Sequence, residues 1–299
     1  MTPNWDDMKV FLAVARLESL SAAGRDLKVD PATVGRRIAR FEEQMGAPLF
    51  AKSPQGYALT DAGQRLLIHA ERAEQAMTGA VEELAGQAGN LSGTIRIGAP
   101  DGCANFLLPQ VCSRIGKENP DLEIQIVALP RVFNLSKREA DMAIGVSAPE
   151  AGNRLTVQKI TDYKLYLAAA RAYLIKHPRI QSLKDLRGHR MIGYIPDMIF
   201  DKELDYLAEL GLEHVNLASN SVSVQFNAIR AGAGIGVVHG FAMPTAPRLR
   251  KVLGDAVSLT RSFYLIRHAD DRRLERMNRF AEALSEGLRE EVARLEQDQ

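Results

Sequence analysis

The chain has 299 residues, 46% hydrophobic and 25% charged, which is ample core for two or three domains and excludes a disordered polymer. A formal net charge of +1 excludes a general polyanion binder, so any nucleic-acid contact must come from a local basic patch. No apolar run approaches the roughly 18 residues that span a bilayer. The start, MTPNWDDMKV, carries acids where a secretory signal carries bases, so a cytoplasmic protein without a membrane partner is expected.

Asn4 is expected to cap a first helix beginning at Trp5, with Asp7 in its first turn, where the helix dipole favours an anion. Trp5, Met8, Leu12 and Ala15 recur at helical spacing and form its expected apolar stripe. Ser21 is expected to cap a second short helix, Ala22 to Leu27, whose Ala22-Ala23 pair permits close approach of another helix. Asp30 then caps a third helix, with Pro31 at its first position, where a missing N–H costs nothing.

In that third helix Val34, Ile38, Phe41 and Met45 face a core. Ala32 and Arg36 project the opposite way, Thr33, Gly35 and Arg40 flank them, and Arg37 falls nearer the core edge. Small residues at the tip followed by forked donors suit a helix that enters a major groove, because arginine pairs with guanine or with phosphate. Three arginines on one face are usually only a solvated surface. The order of helix, short turn and Asp-Pro-capped helix favours DNA. Lys52, Ser53 and Gln55 follow on a loop that Gly56 turns, giving a β-wing.

The pieces FLAVARLESLSAAGRDL, TVGRRIARFE, MGAPLF and GYALTDAG resemble, in order, the winged helix-turn-helix of LysR-type transcriptional regulators, and TVGRRI is similar to the branch with Gly at position 35. The resemblance implies double-stranded DNA as partner, contacted by Ser21, Pro31, Ala32, Thr33, Gly35, Arg36, Arg37, Arg40, Lys52 and Ser53. Asp30, and Ala51 with Lys52, depart from the family's usual residues.

Thr60 is expected to cap a long helix from Asp61 toward Gln87. Two seams of near-heptad spacing fit it: Leu67, Ala70, Met77, Val81, Leu84 and Ala88, or Leu66, Ala70, Ala73, Met77, Ala80 and Leu84. Packing on its own chain would produce the same periodicity. The family resemblance favours a homodimer through this helix, and a homotetramer. Gly86, Gly89 and NLSG then make a hinge.

From residue 94 the pattern becomes alternating strands (TIRIGA, LEIQIVA, ADMAIGV, YKLYLAA, RMIGY, IGVVH, SFYLIRH) and helices (FLLPQVCSRIGKEN, SLKDLRG, DKELDYLAEL, SVQFNAIRAG), with a last helix from about Asp271 to Gln297. This predicts open α/β sheets with helices on both faces. Ligands in such sheets lie beyond the carboxyl ends of strands. LPRVFNLSKREADMAIG and RAGAGIGVV resemble the LysR effector domain, a periplasmic-binding-protein-like pair of lobes around a cleft. The expected organisation is α+β multidomain: 1–60 winged helix-turn-helix, 61–92 linker helix and hinge, and 93–299 effector domain, with one lobe 93–162 plus 267–299 and the other 163–266.

The resemblance implies a small polar organic effector, zwitterions included, lined by Pro100, Asp101, Gly102, Arg131, Tyr194, Ser223 and His239, with Arg131 the polar anchor. Asp101 has two readings: a cap on the next helix facing away from the cleft, or a carboxylate facing into it that selects a ligand with an amine or hydroxyl donor. Cys103 and Cys112, the only cysteines, have no metal-type spacing, so buried thiols and no metal or cofactor are expected. Gly232, Gly234 and Gly236 follow a helix instead of opening one, which excludes a nucleotide loop. His69 and Glu71 lack the cysteine pair of a zinc deaminase. His239 and His268 stand at strand ends beside no evident nucleophile. A non-enzymatic, ligand-responsive DNA-binding regulator is therefore expected. The competing reading is a cytoplasmic bilobal solute-binding protein or enzyme with an N-terminal oligomerisation module.

Overall fold

The computed structural model describes residues 4–53, 56–84, 90–128, 140–149, 155–212, 214–254, 257–269, 271 and 274–297. They form two compact units, Met1–Gly89 and Asn90–Gln299.

The first unit contains α1 (Trp5–Leu17), α2 (Leu20–Leu27), α3 (Pro31–Met45), the hairpin β1 (Phe50–Ser53) and β2 (Gly56–Leu59), and α4 (Asp61–Leu84). Asn4 caps α1 as expected, accepting from the Asp6 N–H. The buried face of α1 differs from the expected stripe: Asp7, Val10, Phe11 and Val14 point inward, while Trp5, Met8 and Ala15 are only half-buried. A count of apolar residues alone misses this face, because one of its members is a carboxylate. Phe11 anchors the core, with Phe41 at 6.0 Å and Phe50 at 5.4 Å between ring centroids. Each such fully buried ring contributes about 1.5–3 kcal/mol.

The cap of α2 is Ser19, not Ser21: the Ser19 hydroxyl accepts from the Ala22 N–H at 3.3 Å, and Ser21 is an exposed residue inside the helix. The earlier start lets Leu20 pack on the core. Gly24 is needed where it stands, since a Cβ there would lie 2.7 Å from the Val29 carbonyl oxygen. Asp30 caps α3 by accepting from Ala32 N–H at 2.8 Å, with Pro31 in the first turn. At the far end Glu42 folds over the next segment and accepts from Leu49 and Phe50 N–H at 2.8 and 3.0 Å, which starts the wing. Lys52 and Ser53 lie in β1, paired with Tyr57 and Gly56, and not on the expected loop, while Gln55 falls outside the described residues. Thr60 caps α4 through Gly63 N–H at 3.0 Å.

The second unit runs β3 (Gly93–Ala99), α5 (Asp101–Phe106), α6 (Leu108–Glu118), β4 (Leu122–Ala128), β5 (Met142–Gly145), β6 (Leu155–Ala170), α7 (Arg171–Lys176), β7 (Met191–Gly193), α8 (Tyr206–Glu209), β8 (Leu217–Ala218), α9 (Val222–Arg230), β9 (Ile235–His239), β10 (Leu249–Lys251), β11 (Ser258–His268) and α10 (Glu275–Gln297). The segment expected as one helix over 106–119 breaks at Leu107 (φ −120°, ψ −51°), and Pro109 sits in the first turn of the helix that follows. Proline tolerates that position and disfavours helix before it.

The strands join in one mixed sheet of order β4-β3-β5-β11-β6-β9-β7-β8, with β10 also on β6. The sequence reading expected separate open sheets. Continuity comes from β6, far longer than the expected YKLYLAA, and from β11. Both strands serve both halves: β11 residues 264–267 pair with β5, while β6 residues 165–169 pair with β9. A register shift in the β6–β11 ladder falls at Phe263/Tyr264. Helix α10 covers the sheet, and its Glu296 accepts from Lys164 N–H at 2.8 Å.

Candidate nucleic-acid interface and effector cleft

On α3, Pro31, Ala32 and Arg36 are exposed, Thr33, Gly35 and Arg37 are half-buried, and Val34, Ile38 and Phe41 are buried. The outward ridge of small residues followed by Arg36 is thus formed by the helix. Arg36 is steadied by donating to the Thr33 hydroxyl at 3.1 Å. Gly35 turns toward α2, where a Cβ would meet a Leu20 methyl at 3.4 Å.

Arg40 has another role. It donates twice to Asp7, at 2.9 and 2.5 Å, and Asp7 is fully buried. A buried carboxylate needs such a partner, because an unpaired ion in the interior is costly. This fork ties α3 to α1, so Arg40 is committed to the fold instead of standing free on the flank of the ridge.

Along α4 the two expected seams divide. Leu66, Leu67 and Ala70 pack into the core of their own unit, and Arg16 of α1 pairs with Glu74 at 2.5 Å. Met77 is 53% exposed, and Ala80 is also exposed.

In the second unit, Pro100, Asp101, Gly102, Tyr194 and His239 line one cleft, as the strand-end reading expected. Ser223 is not in its wall, and its backbone serves another purpose described below. Arg131 lies outside the described residues. Among the residues missed are the buried aromatics Tyr163, Tyr206 and Phe263, which also line the cleft. They stand inside or beside regular elements with no local signal; only the strand pairing brings them together. The cleft is closed, with about 10 Å³ left for the centres of water-sized molecules, the room of about one water.

Asp101 lines the cleft and does not cap its own helix. Its carboxylate crosses to α9 instead, accepting from Ser223 N–H at 2.8 Å and the Ser221 hydroxyl at 3.0 Å, while Asn105 donates to its other oxygen at 3.0 Å. Ser221 in turn caps α9 by accepting from Val224 N–H. A helix N-terminus carries partial positive charge, which favours an anion there. A second bridge runs the opposite way, from the Ser147 hydroxyl, just past β5, to the Asp201 carboxylate.

His239 faces α5 so closely that a Cβ on Gly102 would lie 3.2 Å from its ring. It stacks on Tyr163 at 5.5 Å. Burial pushes its pKa down to about 4, against a smaller opposing pull from Asp101, so the ring is neutral near pH 7. Burial raises Tyr163, Tyr194 and Tyr206 above the ordinary phenol range. Cys103 and Cys112 are buried free thiols, as expected; burial raises both, Cys112 to about 12, which keeps them protonated and inert. Among the described residues, no group of His, Cys, Asp and Glu is arranged to hold a metal, and no helix is long and apolar enough to cross a membrane.

Fold and site together define a helix-turn-helix protein that carries a two-lobed domain of the small-molecule-binding type. The model of the bacterial regulatory helix-turn-helix protein, lysR family, matches residues 5–64, and that of the LysR substrate binding domain matches residues 88–289. The chain belongs to the LysR family. It is 32% identical over 150 residues to the HTH-type transcriptional regulator DgdR of Burkholderia cepacia, a match covering 49% of this chain and 50% of that protein. It is 25% identical over 194 residues to CrgA of Neisseria meningitidis, covering 65% and 64%. The chain thus spans about half to two thirds of these relatives' length. A full-length OxyR variant from Pseudomonas aeruginosa shares the fold, with a TM-score of 0.67 at 18% identity over 96% of this chain and 98% of that one.

Proposed function

We propose that the chain is a ligand-responsive, sequence-specific transcription regulator acting on double-stranded DNA in the cytoplasm. The observation that carries this reading is the outer ridge of α3, with exposed Pro31 and Ala32 at its tip and the exposed fork of Arg36 one turn later. Arg36 reads base edges in the major groove. Thr33, Arg37 and the wing residues Lys52 and Ser53 hold the backbone. Arg40 is reassigned to holding the ridge in place through Asp7. Ser21, exposed on α2, remains a candidate phosphate contact.

A small polar organic effector binds in the cleft of the second unit and shifts the balance between two arrangements of its lobes. That requires different affinity for the two. Assembly to a homodimer, and onward to a homotetramer, proceeds through the far part of α4, where Met77 and Ala80 are exposed.

The test is a competition mobility shift with DNA from upstream of the chain's own gene. Retention by wild type that survives unrelated competitor DNA, and is lost in Arg36→Ala, is the expected result. Equal retention of any DNA would leave a nonspecific binder and sink the regulator reading.

A further inference from the structure

The described lining of the cleft holds one carboxylate, Asp101, and no cationic side chain. Arg261 lies 5.8 Å from the centre of the Tyr206 ring and is already paired with Glu203 and Glu209. Asp101 therefore rests on neutral donors alone. Its Oδ1 accepts only from Asn105, which leaves acceptor capacity on that oxygen.

In the same lining Nδ1 of His239 is buried without a partner, and the buried hydroxyls of Tyr163 and Tyr206 have only each other. The Ser223 hydroxyl, on the residue that follows Val222 of that wall, is also buried without a partner. Buried polar groups are ordinarily satisfied, so this lining suits a hydrogen-bonding head group. The site also occupies its own anion position. The N-terminus of α9, where an anionic ligand would be drawn, is filled by Asp101.

Behind Tyr194 and Tyr206, which meet edge to face at 6.0 Å, lies a second cavity of about 240 Å³. Both tyrosines and Leu204 belong to both spaces. The rest of its described wall is mainly aliphatic, including Ile192, Leu207, Leu212 and Val237.

We infer that the effector is an organic amine with a short apolar body. Its ammonium lies between Asp101 Oδ1, His239 Nδ1 and the tyrosine hydroxyls, and its body enters the cavity past Tyr194 and Tyr206. Every N–H of the ammonium then meets an acceptor: the free lone pair of Asp101, the neutral imidazole or a phenol oxygen. Aromatic walls favour a cation over an anion. A carboxylate head would instead face Asp101 across a dry cleft. This inference rests on the regulator reading for its consequence, but not for the binding event.

The test is calorimetric titration of the full-length protein with n-pentylamine, pentanoate and 1-pentanol, which share one body and differ in the head. n-Pentylamine is expected to bind tightest and pentanoate not at all. Asp101→Asn keeps an acceptor for Ser223 N–H, and is expected to weaken the amine at least about tenfold, the loss of one charge-assisted hydrogen bond. Tyr206→Phe keeps the ring and is expected to weaken it less. Leu207→Trp fills the cavity and is expected to weaken the amine while leaving the head contacts intact. The inference is overturned if pentanoate binds as well as the amine, if millimolar n-pentylamine gives no heat, or if Asp101→Asn leaves the amine's affinity unchanged. A mobility shift on the same samples separates the two readings. Specific DNA binding without amine binding refutes this inference alone, and amine binding without specific DNA binding refutes the regulator reading alone.

Discussion

Of the carboxylates that tie helices together, Asp7 in the first unit and Asp101 in the second are held in opposite ways. Asp7 is fully buried and answered by the permanent cation Arg40. Asp101 is answered, among the described residues, by a serine hydroxyl, a backbone N–H and an amide, with no cation. The first arrangement neutralises its charge and is therefore architecture. The second leaves a carboxylate in an aromatic cleft without a counter-ion among the described residues, which is the arrangement we propose for a site. The difference shows how to separate a structural ion from a functional one: ask whether the protein supplies the counter-charge itself.

The sharpest way to break this comparison is to remove the cation. Arg40→Ala strands Asp7 without a partner, and the expected result is the largest effect of the set. The N-terminal unit should melt many degrees lower, and binding to all DNA should fall with it. Asp7→Asn in the same background should recover part of the stability. If Arg40→Ala melts like wild type but loses affinity equally for all sequences, Arg40 is a phosphate contact after all.

The next effect concerns pH. The folded pKa of His239 lies near 4 against an ordinary 6.5, so the unfolded chain binds more protons between these values. Stability is unaffected by this group above pH 6.5 and falls as pH drops toward 4, by about 3 kcal/mol in all. Asp101, Tyr163 and Tyr206 face the same ring, so the comparison to make is with His239→Phe, which keeps a ring on Tyr163 and cannot titrate. Melts at pH 7 and near pH 4.5 should show a smaller acid loss in the variant. Equal losses would remove His239 from the account.

On α3 itself, Arg36 and Arg40 stand about one turn apart with different duties. Arg36→Ala is expected to leave the melting temperature unchanged and to weaken operator binding by about 1–3 kcal/mol per half-site, measured by competition shift. Normal operator affinity would mean that the ridge faces elsewhere. Asp101→Asn should change stability little, by less than about 1 kcal/mol, because an amide oxygen still accepts from α9. A loss as great as that of Arg40→Ala would make Asp101 architecture too. Met77→Glu, on the exposed face of α4, is expected to shift assembly toward monomers in sedimentation velocity without affecting the melt.

What the sequence made legible follows from contact range. Helix α3 could be read because its cap, its proline and its core residues lie within fifteen positions. The wing and the long helix were legible for the same reason, and Pro100, Gly102, Tyr194 and His239 share one lining because each stands at or just past a strand end. The buried face of α1 was misread because Asp7 belongs to it, and its partner lies 33 positions away. Ser19 and Ser21 are chemically equal caps, and only the burial of Leu20 separates them. The Asp101 bridge joins residues 122 positions apart, and no local pattern encodes it. The polar start of β6 hid its length, because residues 155–159 are held by β11 and not by a hydrophobic face.

The two halves of the second unit are joined by β6 and β11 themselves, paired on both sides of the register shift at Phe263/Tyr264. Such a joint behaves as a leaf spring and not as a pin. Paired strands twist and bend readily, but they do not slide, because sliding by one residue would turn every side chain to the wrong face. Any motion a ligand imposes must then be a shallow, elastic rotation with its ladder intact, and its return stroke is supplied by the sheet.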